Sequence, residues 1–198
     1  MRVMARFMAS ATDAAHFPAP SLPEVAFLGR SNVGKSSVIN TLVEDKVART
    51  SSTPGRTRSI NFFEVRWPGK PRPEVIFADL PGYGYAKLSR EISAEWPKFI
   101  EPYLNERPTL ALCLALVDVN VPPQDSDRHL LDFLNNSGRE FLVIGTKSDR
   151  LSNNQLRNAL NGLAKAYPAA SVIPFSAKTR VGRDEVWNKI REAAAYQS

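Results

Sequence analysis

The stretch Gly29-Arg30-Ser31-Asn32-Val33-Gly34-Lys35-Ser36 fits the pattern G-x-x-x-x-G-K-S/T. The chemistry of such a loop is the holding of phosphate. Its glycines let the backbone curl until consecutive N–H groups point inward at phosphate oxygens. A helix starting there turns the positive end of its dipole to the same anion. Lys35 places an ammonium on the β- and γ-phosphates of a nucleotide, and the Ser36 hydroxyl is a hard oxygen suited to Mg2+. Further along, Asp79-Leu80-Pro81-Gly82 closes an apolar run. An acid at the carboxyl end of a strand is placed to act on Mg2+ through a water ligand, and Gly82 can offer its N–H to a γ-phosphate. Two more apolar runs end in Thr146-Lys147-Ser148-Asp149 and in Ser176-Ala177-Lys178. A carboxylate at Asp149 can accept from both the N1–H and the 2-amino group of guanine, a pair that adenine lacks. The Lys147 stem can lie along the ring, and the Ala177 N–H can reach the guanine O6. Such a buried polar site rejects an analogue without its partner groups by roughly 10⁴–10⁵. Alone, D-x-x-G or T-K-x-D reads as an ordinary turn. Four motifs in this order imply a guanine-nucleotide site.

Such motifs need strands and helices to hold them. Short apolar runs alternate with helical stretches. Strands are expected at Val25–Leu28, Ile60–Arg66, Val75–Ala78, Leu110–Val117, Phe141–Gly145 and Val172–Phe175. Helices are expected at Lys35–Val43, Glu91–Glu106, Ser126–Asn136, Asn153–Ala166 and Arg183–Ala195. Leu110–Val117 is continuously apolar, as in a strand buried on both faces. Strands separated by helices predict a three-layer α/β fold with a mostly parallel six-stranded sheet. The short Trp67–Pro73 turn makes one hairpin, hence one antiparallel strand. Met1 to Ala11 carries arginines and no acid, as a transit peptide does; the reading adopted for residues 1–22 is an arm packed on a single domain spanning 23–198.

Composition removes other chemistries. The chain has 198 residues, 43% of them hydrophobic and 23% charged, as in one globular domain. Cys113 is its single cysteine, so a disulfide within the chain and a multi-cysteine zinc site are excluded. The two histidines, His16 and His129, are too few for a multi-histidine metal cage and lack triad partners. No apolar run reaches the roughly 20 residues of a membrane span. A reducing, cytoplasmic address follows as the expectation. Cys113 and Trp187 read as core residues.

The series GRSNVGKS, TPGRTRSINFF, DLPGYGYA, TKSD and FSAK resembles the EngB (YihA/YsxC-type) branch of the TrmE–Era-like small GTPases, over about residues 5–195. That resemblance implies a Ras-like P-loop GTPase domain, GTP and GDP as ligands, Mg2+, and a role in assembling the large ribosomal subunit and in normal cell division and septation. By position, Gly29, Arg30, Ser31, Asn32, Val33, Gly34, Lys35 and Ser36 would hold the phosphates. Gly55, Arg56, Thr57, Arg58 and Ser59 would form the first switch, with Thr57 and Ser36 as protein ligands of Mg2+. Asp79, Leu80, Pro81 and Gly82 would sense the γ-phosphate. Thr146, Lys147, Ser148 and Asp149 would read guanine, supported by Phe175, Ser176 and Ala177. Tyr83 stands where many small GTPases carry a water-orienting glutamine, so intrinsic hydrolysis is expected to be slow. Lys35, Asn32 and Gly82 are the candidate catalytic groups. Asn32 has two readings: it helps hold K+ against the phosphates, as in potassium-activated relatives, or it hydrogen-bonds its own loop.

Charge is concentrated. Lys46 to Arg72 holds Lys46, Arg49, Arg56, Arg58, Arg66, Lys70 and Arg72 against Glu64 alone, a local +6 equal to that of the whole chain. This segment spans the first switch and the hairpin, which places a basic patch on a nucleotide-sensitive surface. It reads either as a docking surface for ribosomal RNA of a large-subunit precursor or as a solvated face. The functions weighed are a monomeric GTPase switch and a nucleotide-gated binding module with hydrolysis as a slow timer. A kinase or ATPase fails on Asp149 and the absence of an acceptor lid.

Overall fold

The structure is a computed structural model that describes residues 3–48, 59–83, 100–168 and 170–196. In chain order its elements are β1 (Met4–Ala11), β2 (Glu24–Gly29), α1 (Lys35–Val43), β3 (Ile60–Arg66), β4 (Val75–Asp79) and β5 (Leu110–Asp118). They continue with α2 (Asp125–Asn136), β6 (Phe141–Thr146), α3 (Asn153–Ala166), β7 (Val172–Pro174) and α4 (Arg183–Tyr196). Residues 100–106 are also helical; the rest of the helix expected at Glu91–Glu106 lies outside the described residues.

One sheet runs in the order β1-β3-β4-β2-β5-β6-β7. β3 is antiparallel to both its neighbours, and all other pairs are parallel. Side chains alternate across it with the period of two that strands impose. Val25 and Phe27 of β2 join Leu112, Leu114 and Leu116 of β5 on the face covered by α1 and α4. Ala26, Leu28, Cys113, Ala115 and Val117 point the other way, under residues 100–106, α2 and α3. Two covered faces explain the unbroken apolar run of β5. Cys113 and Trp187 are core, as expected, and burial pushes the Cys113 thiol up to about 12.

The sheet has seven strands, which corrects the expected six. The extra one is β1, from the segment expected to be only an arm. It pairs with β3 from Met4↔Arg66 to Ala11↔Ile60, with a bulge between Phe7 and Ala9. An edge strand buries little, and Met4, Phe7 and Met8 remain exposed, so no clean apolar alternation marked it.

The same register corrects the basic patch. Asn61 of β3 lies opposite Asp79, whereas Arg66 lies at the far end of the strand, about 17 Å away at 3.4 Å per residue. Arg66, Lys70 and Arg72 therefore sit at the end of the sheet opposite Asp79 and are not on the nucleotide-sensitive surface. Arg49, Arg56 and Arg58 lie outside the described residues.

Helix α1 carries the phosphate loop and is clamped at its far end. Arg183 donates to the carbonyls of Thr41 and Leu42, and the Trp187 indole N–H donates to Leu42 O at 3.0 Å. These are carbonyls that a helix end leaves without intrahelical partners.

Candidate nucleotide-binding site

All four motifs meet at the carboxyl ends of the parallel strands, where an open α/β sheet places its ligands. The phosphate loop leaves β2 and enters α1 through Gly34, whose φ of +109° is a left-handed conformation that disfavours a side chain. Lys35 follows at the first helical position, so the free N–H groups of α1 face the loop. Its ammonium is ion-paired with Asp79 at the end of β4, both side chains nearly buried. Ser36 lies in the same first turn and is part-buried. Asn32 is exposed, with φ +64°, and its main-chain carbonyl accepts a bond from Lys147 Nζ at 2.9 Å.

After Asp79 the chain runs along the loop. The Leu80 N–H donates to Phe27 O, and its side chain is buried in the core beside buried Pro81. A Cβ on Gly82 would lie 3.0 Å from both Ser31 N and Ser31 Oγ, so a side chain there would press on the loop. Tyr83 forms a parallel bridge with Arg30; the Ser31 N–H donates to its carbonyl at 3.0 Å. Its hydroxyl donates to Asp127 of α2 at 3.0 Å.

The guanine motifs are joined to the phosphate loop by side chains. Thr146, buried, donates to Val33 O at 2.7 Å, which ties the end of β6 to the loop. Lys147 takes a left-handed conformation, φ +59°, and its ammonium bridges Asn32 O and Asp118. Asp149 is exposed and accepts from the Ser176 hydroxyl at 2.7 Å. That hydroxyl oxygen also accepts from the Lys178 and Thr179 N–H groups, which winds the loop after β7 around buried Ser176. The Ser148 N–H donates to Phe175 O. A cavity of about 460 Å³ opens between Gly34, Ser37, Thr146, Lys147, Asp149, Phe175, Ala177 and Lys178. A larger cleft of about 590 Å³ lies at the far end of the sheet, among Val3, Arg66, Trp67 and Lys70. Size alone would select it, but it holds none of the phosphate or guanine motifs.

Every described residue of the expected site thus lies at one end of the sheet. Ser59 sits two residues before the position opposite Asp79. Gly55, Arg56, Thr57 and Arg58 are outside the described residues.

Sequence reasoning missed Asp118 and Asp127. Asp118 ends β5 opposite Thr146, with Oδ2 2.6 Å from Lys147 Nζ and Oδ1 accepting two bonds from Asn120. Burial raises its carboxyl, but these hydrogen bonds outweigh burial and hold it below the ordinary aspartate value. An acid closing a long apolar run was the available signal. Asp127 is 4% exposed on α2, where its helix otherwise buries Leu130, Leu131 and Leu134. Burial pushes its carboxyl above the usual range, against the Tyr83 hydrogen bond and the charge of Arg30.

This sheet order and phosphate loop, with the four motifs at the strand ends, are those of a Ras-like P-loop GTPase, an enzyme that hydrolyses GTP. A family described as 50S ribosome-binding GTPase matches residues 24–147. The probable GTP-binding protein EngB of Koribacter versatilis is 64% identical over 194 residues, covering 98% of this chain and 96% of that protein. The chain belongs to the EngB family of GTP-binding proteins. The crystal structure of a probable GTP-binding protein EngB matches with a TM-score of 0.65 at 22% identity, over 87% of this chain and 99% of that one. A structure of Era in complex with MgGDPNP and nucleotides of 16S ribosomal RNA matches with a TM-score of 0.69 at 23% identity, over 87% of this chain and 56% of that one. At these identities the two structures speak to the fold.

Proposed function

We propose that this GTPase is a switch in the assembly of the large ribosomal subunit, acting as a monomer in the cytoplasm. Its GTP-bound form docks on a precursor particle through ribosomal RNA, and hydrolysis releases it. Residues 23–198 are the body of the GTPase domain, and residues 1–22 are an arm whose Met4–Ala11 adds strand β1 to its sheet. A part in cell division and septation goes with the same reading. The observation that carries it is membership of a family described as ribosome-binding, over a segment that includes the phosphate loop, the Asp79–Gly82 turn and Thr146. The same fold is solved for Era with nucleotides of 16S ribosomal RNA, which supports docking on ribosomal RNA and makes no choice of subunit.

The residues fit Mg2+. Asp79 is 5% exposed, yet its carboxylate has one donor among the described residues, Lys35. An under-coordinated buried carboxylate, with a serine hydroxyl one residue after the lysine it pairs with, offers hard oxygens to a small divalent cation. Ser36 and Thr57 would be its protein ligands, with Asp79 behind them through water. When bound, the ion neutralises charge on the β- and γ-phosphate oxygens. Lys35 exchanges Asp79 for phosphate. The loop N–H groups and the Gly82 N–H take the charge that develops as water attacks the γ-phosphorus in line and the β–γ bridge breaks. Tyr83 has no amide to orient that water, and its hydroxyl is committed to Asp127, so turnover without an activator is slow. Asn32, exposed in the loop, would help hold K+ against the phosphates. Asp149, Lys147 and Ala177 select guanine.

Protein loaded with GDP or with a non-hydrolysable GTP analogue, titrated with large-subunit precursor particles at two salt concentrations, tests this. The analogue form should bind more tightly, and added salt should weaken binding through counterion release. Equal affinities for the two forms would rule out the switch.

A further inference from the structure

Tyr83 is the residue after Gly82, and the structure fastens it from both sides. Its main chain is held by the phosphate loop: the Ser31 N–H donates to its carbonyl at 3.0 Å, and its own N–H donates to Gly29 O at 3.4 Å. Its side chain reaches 44 residues along the chain to Asp127, with the hydroxyl 3.0 Å from Oδ1. Asp127 stands in the first turn of α2, a helix fixed to the core by Leu130, Leu131 and Leu134. The Tyr167 hydroxyl donates to Gln124 O just before that helix and steadies its start.

A nearly buried carboxylate on an otherwise apolar helix face is a costly choice where leucine would pack. It makes sense where its position must be specified. Tyr83 supplies its hydrogen bond. Arg30, at the second position of the phosphate loop, adds charge without a hydrogen bond; its buried Nε has no partner among the described residues. The three residues come from the phosphate loop, the γ-phosphate turn and a rigid helix. Their meeting point is next to Gly82, where an added Cβ would lie 3.0 Å from Ser31 N.

We propose that Tyr83 and Asp127 are positioning residues for GTP: their hydrogen bond pins the Asp79–Gly82 turn between the phosphate loop and α2, so that the Gly82 N–H is set for the γ-phosphate before GTP arrives. This rests on the reading of Gly82 as the γ-phosphate donor. GDP has no γ-phosphate and makes no use of that preorganisation. Without the hydroxyl, the turn must be ordered when GTP binds, which weakens GTP and not GDP.

The experiment measures affinities of the full chain for GDP and for a non-hydrolysable GTP analogue, with single-turnover hydrolysis of GTP. Tyr83→Phe and Asp127→Leu should each lower the preference for the analogue over GDP by roughly five- to tenfold, the low end of ordinary coupling. Both should slow hydrolysis and leave the affinity for GDP unchanged. The double variant should be no worse than either single one, because both remove the same bond. Asp127→Asn keeps an oxygen acceptor for the hydroxyl and should stay near wild type. Equal weakening of both nucleotides together with a lower melting temperature would make the contact merely structural. Tighter binding of the analogue would mean that the bond holds the turn away from GTP. Both results overturn the proposal. Gly82→Ala tells which premise failed: an unchanged analogue-to-GDP ratio there removes Gly82 from the γ-phosphate, whereas a lowered ratio with an inert Tyr83→Phe removes only the Tyr83–Asp127 bond.

Discussion

Two buried ion pairs sit about three residues, or 10 Å, apart along the paired strands β2 and β4: Glu24 lies opposite Ile76, and Phe27 lies opposite Asp79. They are built differently. Glu24, fully buried, accepts from the Tyr103 hydroxyl, from Arg107 Nε and a second Arg107 nitrogen, and from Thr109, all within 2.8 Å. Arg107 spends its remaining reach on Pro18 O. Burial, then the charge of Glu24, drives the Tyr103 hydroxyl well above its ordinary value. Asp79 and Lys35 are nearly as buried, but each has only the other among the described residues. A saturated cluster has nothing left to bind and serves as scaffold. An unsaturated one keeps hydrogen-bonding capacity for a ligand, and that excess marks the site.

The sharpest way to break this contrast is at the saturated end. Arg107→Met leaves the Glu24 charge buried without its main partner and should cost about 3–5 kcal/mol of folding stability. The nucleotide affinity of the folded fraction should not move. Urea unfolding with parallel GDP binding checks both; a loss under 1 kcal/mol would mean that the cluster is not the scaffold described. Lys35→Met should show the reverse pattern. It removes a donor from transition-state charge and should slow single-turnover hydrolysis by about 10²–10³-fold. Its cost in stability should be smaller than that of Arg107→Met, since water at the open nucleotide end can solvate Asp79.

A third test lies in the base pocket. Asp149→Asn keeps an oxygen for the Ser176 hydroxyl but loses the charge that accepts two guanine donors. The preference for guanine over adenine nucleotides should fall by about 10–100-fold, the scale of one hydrogen bond to a charged group. Xanthine nucleotide should gain in relative terms. Competition binding measures it, and unchanged discrimination would remove Asp149 from the role.

The nucleotide end was legible in the sequence because each motif is local. Gly29–Ser36, Asp79–Gly82 and Thr146–Asp149 are short runs that fold on themselves at a strand end, so spacing alone reports them. The scaffold end was not, because its partners are 79 to 85 residues apart and share no pattern. The same holds for Tyr83 with Asp127, 44 residues apart, and for Lys147 with Asp118, 29 apart. Strand β1 was missed for another reason: on an edge, with a bulge, apolar and polar residues need not alternate. The basic segment misled because a hairpin carries chain neighbours to opposite ends of a sheet.

Asp118 sharpens the comparison because it stands between the two kinds of cluster. It is largely saturated, by Lys147 and Asn120, yet the lysine it holds lines the cavity with Thr146, Asp149 and Ala177. Its carboxyl is held below its ordinary value, so the folded state binds this proton less readily than the unfolded chain. The stability that follows is fully present above the unfolded pKa of about 3.9 and is lost as pH falls through the lower folded value. Asp118→Asn keeps the shape and removes the charge. At pH 7 the variant should be less stable than wild type, and its affinity for GDP should be about two- to fivefold weaker, the scale of a partly solvated ion pair. The stability gap should start to narrow as pH falls below about 3.9, where the unfolded chain takes up the proton, and should close below the lower folded value, where wild type also loses the charge. Urea midpoints of both proteins at pH 7 and near pH 3, with GDP binding at pH 7, check this. A gap as wide near pH 3 as at pH 7 would mean that the loss comes from hydrogen bonds that the amide fails to make, and not from the hold of the carboxylate charge on the Lys147 ammonium.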